Sequence, residues 1–157
     1  MIVDIINQTI RAMCLEITTQ ASATQNWQLM TEEEFLYEAA ICIFGSQMVF
    51  EIAVATADRL REKELLQPAP RGRSVQAIER KVVEALADPL PVPAYDGTQR
   101  WVRPRFKNRQ ASLLAKTIVE IYGQSRTIRG FLSDAGNARE ARETLMQHVW
   151  GFGPKQA

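Results

Sequence analysis

Histidine and cysteine are scarce in this chain, with one and two copies in 157 residues. Cys14 and Cys42 are too few and too far apart for a zinc or four-cysteine iron–sulfur site. Both lie in apolar helical patterns, so they are expected to be reduced core thiols, as in a cytoplasmic protein. His148 has no Ser, Cys or carboxylate constellation that would make a catalytic triad. At the end of a helical stretch it is expected to meet the last carbonyls. No run approaches the roughly 18 apolar residues that span a bilayer. The start, MIVDIINQTIRAM, lacks the basic opening of a secretory signal and is interrupted by Asp4 and Asn7. Nothing here asks for a membrane, a metal or another cofactor. Excess charge is also missing: the net charge is +1, so a basic footprint for nucleic acid has to be local.

What is present is a composition suited to one soluble globular domain, 46% hydrophobic and 24% charged. Apolar positions recur at three- and four-residue spacing, and no strand-like alternation is long enough to count. The expected class is all-α. A first helix runs through Ile2, Ile6, Ile10, Met13 and Ile17, and residues 1–30 form an N-terminal helical segment of unassigned role. Residues 31–157 form the main helical domain.

Thr31 with Glu34 three residues later is a capping box, and Glu32 and Glu33 add favourable charge in the first turn. Capping accounts for this acidic triplet without a metal or acid–base role. The helix it starts is apolar nearly all round and should be central, breaking near Gly45-Ser46. Further helices run through Ile52–Leu60, from Ser74 to Leu86, through Leu113–Ile121, around Phe131 and from Asn137. The stretch ADPLPVPAYDG (87–97), with three prolines, is expected to be irregular. Trp27, Trp101 and Trp150 are expected to be packing residues.

Three segments carry candidate chemistry. The chain closes on HVWGFGPKQA, where Gly151 and Gly153 suit a sharp turn and Pro154 the first position of a helix. A helix, a tight h-G-h-G turn and a second helix form a helix–hairpin–helix, whose free backbone N–H groups suit a phosphate. Lys155 would sit at the positive end of that second helix, where its amine pKa falls and its lone pair becomes nucleophilic; otherwise it is a solvated tail residue. The segment RWVRPRFKNR holds Arg100, Arg103, Arg105, Lys107 and Arg109, with Trp101 and Phe106 interleaved. It is either a phosphate-binding strip or a solvated loop. Ser46, Gln47 and Met48 form either a DNA-contacting loop or an ordinary helix–helix turn capped by Gly45.

From about Thr31 onward the chain resembles the helix–hairpin–helix DNA glycosylases, above all the archaeal-type 8-oxoguanine DNA glycosylase/lyases. The resemblance rests on EEEFLYEAAICIFGSQMVFEIAVATADRL, on RPRFKNRQASLLAKTIVEIY and most specifically on ARETLMQHVWGFGPKQA. The stretches 67–74 and 87–97 look like insertions. The resemblance implies base excision repair of an oxidised purine in duplex DNA. The damaged base is flipped out, and Lys155 displaces it through a Schiff base, after which the strand is cleaved. It implies that Ser46, Gln47 and Met48 fill the gap left by the flipped base. In such families an assisting aspartate lies well beyond the lysine, past Ala157. The chain is therefore expected to be a fragment, a degenerate copy, or a protein completed by a homodimer or a second chain. A non-catalytic DNA-binding or partner subunit is the alternative.

Overall fold

The computed structural model describes residues 8, 10–15, 27–69, 72–94 and 96–153. It divides into two compact units, Met1–Met30 and Thr31–Ala157. In the first, residues 8 and 10–15 are helical and Trp27–Leu29 makes one 3-10 turn. Ile10, Met13 and Leu15 are exposed there, and so is Cys14, which corrects the expectation of a core thiol. A helical spacing of apolar residues predicts a helix; it does not decide whether its stripe is covered.

The described residues of the second unit form six helices and one hairpin: α1 (Glu32–Gly45), α2 (Phe50–Glu62), α3 (Val75–Ala85), β1 (Leu90–Pro93), β2 (Gln99–Val102), α4 (Lys107–Gly123), α5 (Ile128–Asp134) and α6 (Ala138–His148). None of the described helices is long and apolar enough to cross a membrane. The starts follow from local chemistry. Thr31 Oγ1 accepts from Glu34 N (3.2 Å), and Glu34 Oε2 accepts from Thr31 N (2.6 Å), closing the capping box. Thr31 N and Thr31 Oγ1 (2.9 Å) both donate to Glu34 Oε2 and hold that carboxyl below its ordinary 4.5. Ser74 Oγ caps α3 through Ala77 N (3.1 Å), and Asn137 Oδ1 caps α6 through Arg139 N and Glu140 N.

α1 is the central element, packed against α2, α4 and α5. Leu36, Ala40, Ile43 and Phe44 are fully buried on it, facing a core that includes Leu60, Leu114, Ile118 and Ile121. Each large apolar side chain buried in this way contributes about 1.5–3 kcal/mol. Cys42 is half-buried, and burial pushes its thiol pKa up, with Glu38 adding to the rise. Glu32 does more than favour its own helix dipole. Its carboxylate accepts from Tyr122 Oη (2.6 Å), Ile128 N (2.9 Å) and Arg129 N (3.1 Å), so α1 caps α5 from across the fold. Burial and that bond raise the Tyr122 phenol pKa.

The prediction that 87–97 is irregular is overturned by the antiparallel hairpin. Leu90 pairs with Val102, Pro91 with Trp101, Val92 with Arg100 and Pro93 with Gln99. Ala94 N donates to Thr98 O (2.8 Å), so by antiparallel alternation Leu90 and Val92 occupy the hydrogen-bonding positions. Pro91 and Pro93 fall between them, where an N–H would point out of the ladder, and a strand tolerates proline there. Leu90 and Val92 are buried, and β1 packs on α2. The all-α expectation therefore holds for the bulk of the unit and fails for this hairpin.

Candidate nucleic-acid interface

The first half of α4 is the platform on which two of the predicted segments rest. Gln110, at the end of its first turn, is 1% exposed. Its Nε2 donates to Ile43 O and to Ser46 Oγ, both at 2.9 Å, while Ser46 Oγ donates to Ile43 O (2.8 Å). The α1–α2 loop is thus anchored at Ser46, leaving Gln47 exposed and Met48 half-buried. Val49 and Phe50, which follow, are 53% and 67% exposed. Gln110 Oε1 is buried and has no hydrogen-bond partner among the described residues. Such an atom costs about 1–3 kcal/mol.

The glycine turn lies three and seven residues further along the same helix. Val149 is buried, its N–H bonded to Leu145 O (2.8 Å), and Phe152 N donates to Val149 O (3.1 Å) to close the turn. Trp150 N donates to Thr117 Oγ1 (2.9 Å), which pins the turn to α4. Gly151 has φ +91, a left-handed conformation that side chains oppose. A Cβ there would lie 3.0 Å from Leu113 Cδ1 and 3.9 Å from Ile43 Cγ1. The requirement for glycine at 151 is therefore both conformational and steric. Gly153 is half-buried. Lys155 lies outside the described residues.

The basic segment leads from β2 into α4. Arg103, Arg105 and Arg109 are exposed, and Pro104 between the first two is buried and anchors the strand's exit. No carboxylate among the described residues forms a salt bridge with Arg100, Arg103, Arg105 or Arg109. Lys107 differs: half-buried, its Nζ donates to Leu86 O (3.3 Å), tying α4 to the end of α3. Phe106, the N-cap of α4, has φ 56 and is 59% exposed. A bulky residue in that conformation is strained by about 1–3 kcal/mol.

Ile43 and α4 therefore bring Ser46 and Gly151 into one neighbourhood. Arg109, Leu113 and Lys116 follow one another at helical spacing on one face of α4. Lys116 Nζ lies 5.0 Å from the centre of the Trp150 ring, so a cation–aromatic pair flanks the turn. Arg103 and Arg105 sit ahead of this platform, on the strap rather than at the turn.

The sequence reading missed Gln110, Lys116 and Thr117. Gln110 carries a usable signal, since a polar residue four before Leu114 falls on the apolar stripe of α4. The bond from Trp150 N to Thr117 spans 33 positions and leaves no local trace. Two expectations about aromatic residues fail. Trp101 is 66% exposed and Trp150 45% exposed, so neither is a core packing residue. His148 stacks on Phe131, with ring centres 4.5 Å apart, and its Nδ1 lies 3.6 Å from Glu120 Oε1. A partner on α5 has taken the place of the expected terminal carbonyls.

A cleft of about 510 Å³ between α5 and α6, lined by Arg126, Thr127, Asp134, Thr144 and Gln147 around that stack, contains none of the predicted DNA residues. The described residues hold no cluster of His, Cys, Asp and Glu suited to a metal ion. In comparisons with family models, curated proteins and solved structures, nothing matches this chain.

Proposed function

We propose that this chain is a helix–hairpin–helix DNA glycosylase-like protein that acts on an oxidised purine, chiefly 8-oxoguanine, in duplex DNA. The observation that carries the reading is the pinned turn at Gly151. It combines a left-handed glycine, a close approach to Leu113 and a backbone bond to Thr117, all at the end of a capped helix. The turn's own Val149, Trp150 and Phe152 N–H groups are bonded within the fold. The phosphate donors are therefore those that the resemblance assigns to the start of the second helix, beyond Gly153, which grip without regard to base sequence. Arg109 and Lys116 on the adjoining face of α4 supply the cations such a grip needs. The Ser46–Met48 loop, anchored by Gln110, is the element that contacts the opened base step.

The resemblance assigns Lys155 the nucleophilic role. Its neutral amine attacks the anomeric carbon, the bond to the base breaks with the electron pair leaving on the base, and the sugar ring opens to a Schiff base. Borohydride trapping on an 8-oxoguanine duplex tests this, with Lys155→Ala alongside. A covalent protein–DNA adduct that is absent for Lys155→Ala is the expected result. No adduct from either protein, with duplex binding retained, favours the alternative of a non-catalytic DNA-binding subunit. The arginines of the strap, which form no salt bridge with a described carboxylate, support that second reading, because they need no catalytic lysine.

A further inference from the structure

Cross-strand partners share a face of a hairpin. Because Leu90 and Val92 face the core, the register places Pro91, Pro93, Gln99 and Trp101 together on the outer face. Trp101 is 66% exposed there, on a short stiff platform. The tip is held as well: Asp96 Oδ1 accepts from Thr98 Oγ1 (2.6 Å) and Thr98 N (3.0 Å), which occupies the one acid of the tip. Arg100 lies in the same strand, with Arg103 and Arg105 just beyond it, and all three are without a salt bridge to any described carboxylate. Residues 87–109 contain five cations and two acids in a chain that is otherwise close to neutral.

We propose that this hairpin is a nucleic-acid contact in its own right. Trp101 stacks on one unpaired base, and Arg103 and Arg105, just past it in the chain, hold the neighbouring phosphates. A single strand is the occupant that fits, because a projecting indole reaches the face of an unpaired base and not that of a base inside a closed duplex. The surplus of guanidinium groups in the strap that carries the indole selects a polyanion over a neutral proline-rich peptide. The proposal shares with the preceding reading the premise that the chain binds DNA, and with its non-catalytic alternative the strap arginines; the indole contact belongs to neither the glycine turn nor the lysine.

The test is the affinity of the full chain for a labelled oligothymidylate and for an 8-oxoguanine duplex, with Trp101→Ala and Trp101→Phe compared. Trp101→Ala should bind the oligothymidylate roughly tenfold more weakly while binding the duplex within about twofold, and Trp101→Phe should recover most of the loss. Unchanged circular dichroism and melting would show that the fold is intact. Equal oligothymidylate affinity for the natural chain and Trp101→Ala overturns the proposal. Duplex binding with no oligothymidylate binding also overturns it and leaves the glycine-turn reading standing. Oligothymidylate binding lost in Trp101→Ala, with no duplex binding at all, supports the hairpin and removes the duplex reading. Trp101-dependent dimerisation without any effect on oligonucleotide affinity assigns the face to a second copy and overturns the proposal.

Discussion

On the helices of the second unit, arginines meet acids: Arg80 faces Glu84, Arg139 faces Glu143 and Arg59 faces Glu62 at helical spacing. Arg61 lies 3.6 Å from Glu33 and 3.7 Å from the centre of the Tyr37 ring. From β2 to the first turn of α4 the same residue type has no such partner among the described residues, at Arg100, Arg103, Arg105 and Arg109 alike. Internal neutralisation on one side and its absence on the other separate two uses of arginine in a chain whose net charge is only +1. The helical pairs belong to the surface of the fold, where each is worth a few tenths of a kcal/mol. The strap holds charge that no described carboxylate neutralises, and under the proposed reading a polyanion neutralises it.

That contrast can be broken most strongly by reversing charge. Arg103→Glu/Arg105→Glu should weaken DNA binding by more than about 100-fold at physiological salt, while melting stays within about 1 kcal/mol of the natural chain. An anisotropy titration checks it. Gly151→Ala should destabilise the unit by about 1–3 kcal/mol and weaken duplex binding, because the turn at 151 must give up its left-handed backbone or displace Leu113. Denaturant melts and the same titration measure both effects. Gln110→Leu should be nearly neutral for stability, as it removes a buried oxygen without a partner. It should nevertheless speed amide hydrogen exchange in the Ser46–Met48 loop, which it no longer anchors. At the small end, Arg80→Gln and Arg139→Gln should each cost no more than about 0.5 kcal/mol and leave DNA affinity unchanged.

A pH titration sharpens the capping account. The Glu34 carboxyl is held below its ordinary 4.5 by its bonds to Thr31. A depressed acid contributes stability that is full above its unfolded value and is lost as pH falls through its folded value. The natural chain should therefore lose more stability on acidification below pH 4.5 than Glu34→Gln does.

The starts of α1, α3 and α6 were legible because Thr31, Ser74 and Asn137 act within three residues of themselves. The turn at Gly151 was legible for the same local reason. Its seat on Leu113 and Thr117 was not, since nothing near Trp150 in the chain names them. The hairpin escaped because only Leu90 and Val92 alternate inward and prolines interrupt them, while the pairing that rescues them lies across a tip. Trp101 and Trp150 escaped because one aromatic residue carries no period that could say which way it faces. Thr31, Glu32 and Gly151 illustrate the pattern together: a cap and a left-handed glycine are read from neighbours, whereas the reach of Glu32 to Ile128 and Arg129 is a property of the assembled fold.

The most direct test of the contrast between the two sets of arginines is the salt dependence of duplex affinity. The natural chain would be compared with Arg103→Gln/Arg105→Gln/Arg109→Gln and with Arg80→Gln/Arg139→Gln. The strap variant should flatten the slope of log affinity against log salt by about 2–3, one phosphate contact accounting for roughly 0.9. The helical variant should leave the slope as it is. Equal slopes for all three proteins, or a flatter slope for the helical variant alone, would contradict the account.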